Sequence, residues 1–214
     1  MEIYRSEQEQ IEQLKKLWQQ YGKPILIGVV LALGLSYGWH YWQNRHEVHR
    51  EQASIIYSQL LNQVEQENSS GIYAQAKQLM AQYENTPYAI LAAMQLAKQA
   101  VLGGNLKEAQ AKLQWAQTHA HDPALKQLAI LRLARVYIAQ NKPQKALDIL
   151  ANQSNEIFAS YAEEIRGDAW LALHKDQKAR QAYAKALQLN ANVEDTQPLL
   201  QMKYDAIPAV EINT

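Results

Sequence analysis

Hydrophobic positions recur with a helical period along most of the chain. Ala53, Ile56, Tyr57, Leu60, Leu61 and Val64 mark one face of a helix. The Asn68-Ser69-Ser70-Gly71 cluster then predicts a turn, and a shorter helix over about Tyr73 to Tyr83 ends before Pro87. The same unit recurs three times. A helix near Tyr88–Leu102 meets Gly103-Gly104-Asn105, and its partner carries Ala109, Leu113 and Ala116. A helix near Pro123–Gln140 meets Asn141-Lys142-Pro143, and its partner carries Ala146 and Leu150. A helix near Ile157–Leu173 meets His174-Lys175-Asp176, and its partner carries Ala179, Tyr183 and Ala186.

Alanines 76, 109, 146 and 179 are spaced by 33, 37 and 33 residues. A small residue there lets the two helices of a hairpin approach, and a larger residue a turn later fills the gap. Ala97, Ala134 and Gly167 supply small residues on the first helices, with Tyr137 and Trp170 three residues after the last two. A period near 34 is that of tetratricopeptide (TPR) repeats. Repeat arrays need covered ends, and the tail over 191–214 holds Leu199, Leu200 and Met202 between Pro198 and Pro208. It reads as a short capping helix.

Ahead of the repeats the pattern changes. From Pro24 to Trp42 there are nineteen residues without Asp, Glu, Lys or Arg. As a helix they would extend roughly 28 Å, the thickness of a bilayer's hydrocarbon core. Trp18 and Tyr21 precede the run, while Trp39, Tyr41 and Trp42 close it, as interfacial belts do. The run is too long, and its leading segment too acidic, for a cleaved signal peptide. Arg5, Lys15, Lys16 and Lys23 before it outnumber Arg45 and Arg50 after it, which predicts a cytoplasmic N-terminus. Two small-xxx-small pairs, Gly28 with Ala32 and Gly34 with Gly38, suit close approach by another membrane helix; they are equally what glycine-rich membrane helices carry. Residues 1–23 open with a capping box, Ser6 with Glu9, and continue with Ile11, Leu14, Trp18 and Tyr21 at helical spacing. The expected fold is therefore all-α. A cytoplasmic segment (1–23) and one transmembrane helix (24–42) precede a TPR-like α-solenoid of about four helical hairpins (43–190) and the tail (191–214).

Composition adds exclusions. Lys and Arg total 21, balancing 21 Asp and Glu, so no overall field favours nucleic acid. Cysteine is absent, which removes thiol catalysis, disulfides and Cys-based zinc sites. His46 and His49, and His119 and His121 ahead of Asp122, have metal-ligand spacing but lack third and fourth ligands; surface histidines are the expected reading. His40 sits at the interfacial end of the apolar run, where snorkelling accounts for it better than a proton relay. Glu163 and Glu164 occupy successive helix positions and point apart. No nucleophile elbow, phosphate loop or zinc motif occurs, so neither catalysis nor a cofactor is expected.

The first helix of each hairpin in such arrays lines a concave face. Aligning the repeats on their small residues places Leu91, Met94 and Lys98 there, then Leu128, Leu131 and Arg135, then Tyr161, Glu164 and Asp168. That predicts an apolar strip bordered by two basic and two acidic positions, a candidate protein-binding groove. The competing expectation is that these leucines pack on neighbouring helices or on the tail, leaving no groove. In that case reversing the charges of Lys98 and Arg135 changes little.

Met1-Glu2-Ile3-Tyr4, Tyr21-Gly22-Lys23, Gly38-Trp39-His40-Tyr41-Trp42 and Pro198-Leu199-Leu200-Gln201-Met202-Lys203 together resemble the YfgM family. The resemblance spans essentially the whole chain and is most specific around the apolar run. It implies an ancillary subunit of the SecYEG translocon in the inner membrane of Gram-negative bacteria, with a periplasmic TPR-like domain. It further implies association with a PpiD-type membrane-anchored periplasmic chaperone. The leading functional expectation is a membrane-tethered binding module that meets such chaperones and secreted chains emerging from the translocon. A scaffold in another cell-envelope assembly is the alternative.

Overall fold

The computed structural model describes residues 47–151, 156–190 and 198–208, together with 11–12, 15, 18–19, 21–22, 28 and 32–34. The chain divides into two compact units, Met1–Glu51 and Gln52–Thr214.

In the first unit the described residues are helical. Gly22 is buried under the Trp18 ring, whose atoms lie 3.2 Å from where a Cβ would stand. Ile11, Trp18, Tyr21 and Leu33 are exposed. Among the described residues no helix is long and apolar enough to cross a membrane. Of the expected span 24–42, only Gly28 and residues 32–34 are described; the rest of it lies outside the described residues.

The second unit is built from helices joined by tight turns. They are α1 (52–65), α2 (Ser69–Gln82), α3 (Pro87–Leu102), α4 (Leu106–His119), α5 (Pro123–Ala139), α6 (Pro143–Leu150), α7 (Ala159–Ala172), α8 (Asp176–Leu189) and α9 (Pro198–Asp205). They pair as four successive hairpins, α1–α2 through α7–α8, the TPR-like solenoid expected from the sequence. The third hairpin closes with the short α6, and a 3-10 turn, Glu156–Phe158, leads into α7. No strand occurs among the described residues.

Local chemistry explains the boundaries. The side chains of Asn68, Thr86, Asn105 and Asp122 each accept a hydrogen bond from the first turn of the following helix. Pro87, Pro123 and Pro143 occupy the first helical position, where a missing N–H costs nothing. Every first helix ends in the same way. One residue adopts a left-handed backbone (Glu67, Gly104, Asn141 and His174), and the next N–H reaches back five residues to a carbonyl. These bonds run from Asn68 to Gln63, Asn105 to Ala100, Lys142 to Tyr137 and Lys175 to Trp170, at 2.7–3.0 Å. This is the Schellman stop, repeated four times, although only the second turn has the glycine that favours it.

The packing follows the small residues. Ala76, Ala109, Ala146 and Ala179 are all fully buried. A continuous core joins α3 to α7 through Met94, Leu113, Leu131, Leu150 and Ile165, and another joins α1 to α3 through Leu60, Ile72, Leu79 and Leu96. In the last hairpin the small residue is Gly167, and a Cβ built on it would clash with the ring edge of Tyr183, itself fully buried. The preceding hairpins carry the pairs Ala97 with Leu113 and Ala134 with Leu150 at the corresponding positions, all in the core. At the final hairpin, therefore, a larger ring has been accommodated by removing a methyl.

Helix α9 packs on α8, burying Leu200 and Ile207 against Ala179, Tyr183 and Ala186. Arg180 fastens it. Its guanidinium lies 4.2 Å from the centre of the Tyr204 ring, and donates to the Tyr204 hydroxyl at 3.0 Å and to the Ile207 carbonyl.

Candidate protein-binding surface

Helix α5 lies against both α3 and α7, and these three first helices carry the nine residues expected to form a groove. They divide into three environments. Met94 and Leu131 are buried in the core, because the same helices must also seal against their hairpin partners. Leu91 and Leu128 are half-buried, while Lys98 and Tyr161 are exposed. The apolar strip is consequently narrower than the sequence spacing predicts.

At the α7 end the charges are paired. Arg135 crosses from α5 with its guanidinium 4.4 Å from the centre of the Tyr161 ring and 3.5 Å from the Glu164 carboxylate. Glu164 is buried, so it needs partners. The second is Lys203 from α9, whose ammonium lies 2.7 Å from Glu164 and 2.8 and 3.0 Å from the two oxygens of Asp168. Tyr183 completes the set by donating its hydroxyl to Asp168 at 2.8 Å. Burial opposes the Lys203 charge, but hydrogen bonds to Asp168 and Glu164 and their negative field outweigh it and raise the pKa. Burial, followed by the bond to Asp168 and the nearby carboxylates, raises the Tyr183 phenol far above its ordinary value.

Glu163 faces another way, as its successive position requires. It is buried too, and takes Arg166 at 2.8 Å and Lys185 at 2.5 Å.

Between α5 and the start of α7 the face is open. A cleft of about 330 Å³ is lined by Leu128 and Arg132 from α5, Ile157 and Phe158 from the 3-10 turn, Ser160 and Tyr161 from α7, and Asn190 after α8. Ile157 is 80% exposed. Ser160 is not a free hydroxyl, since it donates to the Ala186 carbonyl at 2.9 Å. Arg132 is exposed, and no carboxylate among the described residues pairs with it. Its field reaches Tyr57 on α1, where it partly offsets the rise that burial imposes on the phenol. Tyr57 in turn packs on Tyr88, ring centres 5.7 Å apart. Neither Arg132 nor Ile157 was among the residues selected by repeat alignment. Arg132 stands one turn beyond Leu128 and was legible from that spacing. Lys203 was not legible, because its carboxylates are 35 and 39 residues away.

The remaining sequence candidates are dispersed. His119 stacks on Trp115 with ring centres 4.2 Å apart, and His121 lies 3.4 Å from the Asn85 side-chain oxygen. No group of three or more His, Asp or Glu among the described residues could hold a metal ion. His40 and His46 lie outside the described residues. In the first unit Ala32 is exposed, and a Cβ on Gly28 or Gly34 would meet nothing within 4 Å. Gly38 lies outside the described residues.

Comparison with known proteins supplies the lineage. Residues 15–209 match the tetratricopeptide repeat-like domain family. The chain is 32% identical over 205 residues to the ancillary SecYEG translocon subunit of Escherichia coli K12, covering 96% of this chain and 98% of that one. It is 30% identical to the protein of the same name from Haemophilus influenzae, covering 93% and 96%, and 26% identical to that of Neisseria gonorrhoeae, covering 97% and 100%. No solved structure matches the chain. A full-length match of this kind, together with four TPR-like hairpins, means that the chain belongs to the ancillary SecYEG translocon subunit (YfgM) family.

Proposed function

We propose that this protein is a non-catalytic interaction module of the cell inner membrane, anchored by the 24–42 segment, whose TPR-like domain faces the periplasm and docks with the SecYEG translocon. The observation that carries this reading is identity at 32% across 96% of the chain and 98% of a relative named as a translocon subunit. The uncharged, aromatic-flanked run supports the anchor, and the basic residues before it support a cytoplasmic N-terminus. By the same reading a PpiD-type chaperone and secreted chains leaving the translocon are its partners on the periplasmic side. Gly28, Ala32, Gly34 and Gly38 are the positions offered to a neighbouring membrane helix.

Affinity purification of the tagged full-length chain in mild detergent, read by mass spectrometry, tests the proposal. Translocon subunits and a PpiD-type chaperone should be enriched over an unrelated single-span protein. Enrichment of a different envelope complex, without the translocon, would replace this reading by that of a scaffold elsewhere. Protease added to spheroplasts should digest the domain beyond Trp42; protection until lysis would reverse the orientation. Replacing Gly34 and Gly38 together by Leu should weaken co-purification while leaving membrane insertion intact, and unchanged recovery would remove these glycines from the interface.

A further inference from the structure

The charges of the first-helix face do not balance once α9 is in place. Lys98, Arg132 and Arg135 contribute three cations to the face, and Glu164 and Asp168 two anions. Lys203 takes both anions, at 2.7 and 2.8 Å, although it belongs to the tail. Arg135 keeps only a share of Glu164 at 3.5 Å, and neither Lys98 nor Arg132 has an ion pair among the described residues. Lys203 therefore neutralises the two carboxylates of this face and leaves its other cations in excess among the described residues. Beside that excess lies the cleft between α5 and α7, walled by Leu128, Phe158 and Tyr161 with Ile157 at its rim, and Arg132 stands in its wall. A hollow lined by both apolar and polar groups, with a guanidinium in its wall that has no ion pair among the described residues, favours one kind of occupant: a large apolar side chain flanked by a carboxylate.

From this we infer that the cleft is an anchor site for acidic, apolar segments of partner proteins, with the apolar side chain seated on Leu128 and Phe158 and the carboxylate on Arg132. The inference rests on the reading of the chain as a protein-interaction module, and specifies the chemistry that module selects. Basic segments are disfavoured, because Lys203 already satisfies the carboxylates that would attract them and Arg132 repels them. The apolar anchor supplies most of the affinity, while the guanidinium supplies selectivity and rate.

Fluorescence anisotropy on the full-length chain in mild detergent tests it with three labelled peptides. One alternates Leu and Phe with Glu and Asp, a second replaces the acids by Lys, and a third replaces the apolar residues by Ser. The first should bind at least about tenfold more tightly than either of the others, and added salt should narrow the gap with the Lys peptide. Arg132→Glu should weaken the first peptide by about tenfold or more, and Ile157→Ser by a few-fold, with thermal midpoints unchanged. Equal binding of acidic and basic peptides, or an Arg132→Glu variant that binds like the parent, would overturn the inference. So would binding that emerges only after Val193, Glu194 and Asp195 are replaced by Gly and Ser, since the chain itself would then be the occupant. Peptide binding is independent of translocon co-purification, so loss of one with retention of the other shows which of the two readings has failed.

Discussion

The two ends of the first-helix face look alike in sequence and differ in kind. At the α7 end, Glu164, Asp168, Tyr183 and Lys203 form a connected polar set in which each buried group has a partner. Between α5 and the start of α7, half-buried Leu128 and Arg132, which has no ion pair among the described residues, border an open cleft. The first arrangement is that of an interface already made, the second of one still to be made. Helical spacing places side chains on a face, but whether a charge there is structural or available depends on what a distant segment brings to it. Here that segment is α9, and its Lys203 decides which end is closed.

If the α7 end is structural, disturbing it should unfold the hairpin. The largest effect is expected at Gly167, where any side chain would clash with the ring of Tyr183. Gly167→Ala should cost about 2–3 kcal/mol through overpacking, net of the gain a helix makes on replacing glycine. Adding Tyr183→Leu reproduces the small-and-large pair of the preceding hairpin, Ala134 with Leu150. The double variant should recover part of the loss, a coupling that a thermal-denaturation cycle measures. Additive losses would mean that ring and glycine do not compensate one another.

Next in size is Lys203→Met. It leaves the buried Glu164 and half-buried Asp168 without their principal cation, and should cost about 1–3 kcal/mol. For a domain of this size, each kcal/mol lowers the thermal midpoint by about 2–4 °C. The same set predicts a pH dependence. The folded pKa values of Lys203 and Tyr183 are both raised above their ordinary 10.5 and 10.0. The folded state holds these protons more firmly than the unfolded chain does. Their contribution is therefore complete below about pH 10 and is lost as pH rises further. Thermal midpoints should fall more steeply above pH 10 in the parent than in a Lys203→Met, Tyr183→Phe variant. Parallel curves would remove these two groups from the explanation.

Much of the architecture was legible in the sequence because it rests on local and repeated signals. Alanines at 76, 109, 146 and 179 mark the hairpin contacts, and polar caps with prolines mark the helix starts. The turns at Glu67 and His174 were harder to read as Schellman stops, since both put a side chain where glycine is preferred. The candidate surface was legible only in part. Repeat alignment cannot separate the side of a first helix that faces its hairpin partner from the side that faces the groove, so Met94 and Leu131 joined the list although they are core. Nor can it foresee pairings over long sequence separation. Glu163 and Glu164 were expected to point apart, and do, but their burial depends on Lys185 and Lys203.

The smallest expected effects separate two residues that the sequence treats as equivalent. Lys98 and Arg135 occupy matching positions in successive repeats, and both look like free rim charges whose joint reversal would leave stability unchanged. Only Lys98 is one. It is exposed, with no ion pair among the described residues, so Lys98→Glu should move stability by no more than about 0.5 kcal/mol. Arg135 lies on the Tyr161 ring and against Glu164, with 42% of its side chain exposed. Solvent screening keeps that pairing modest, and reversal adds a like charge beside a buried carboxylate. Arg135→Glu should therefore cost about 1 kcal/mol, and Arg135→Gln less. The two single reversals, melted side by side and then titrated with the acidic peptide, place each residue at one end of the comparison. Loss of peptide affinity in Lys98→Glu at an unchanged midpoint would extend the basic, available surface from α5 to α3. Equal destabilisation by both reversals would instead mean that α3 is as closed as α7, and would confine the available surface to the cleft around Arg132.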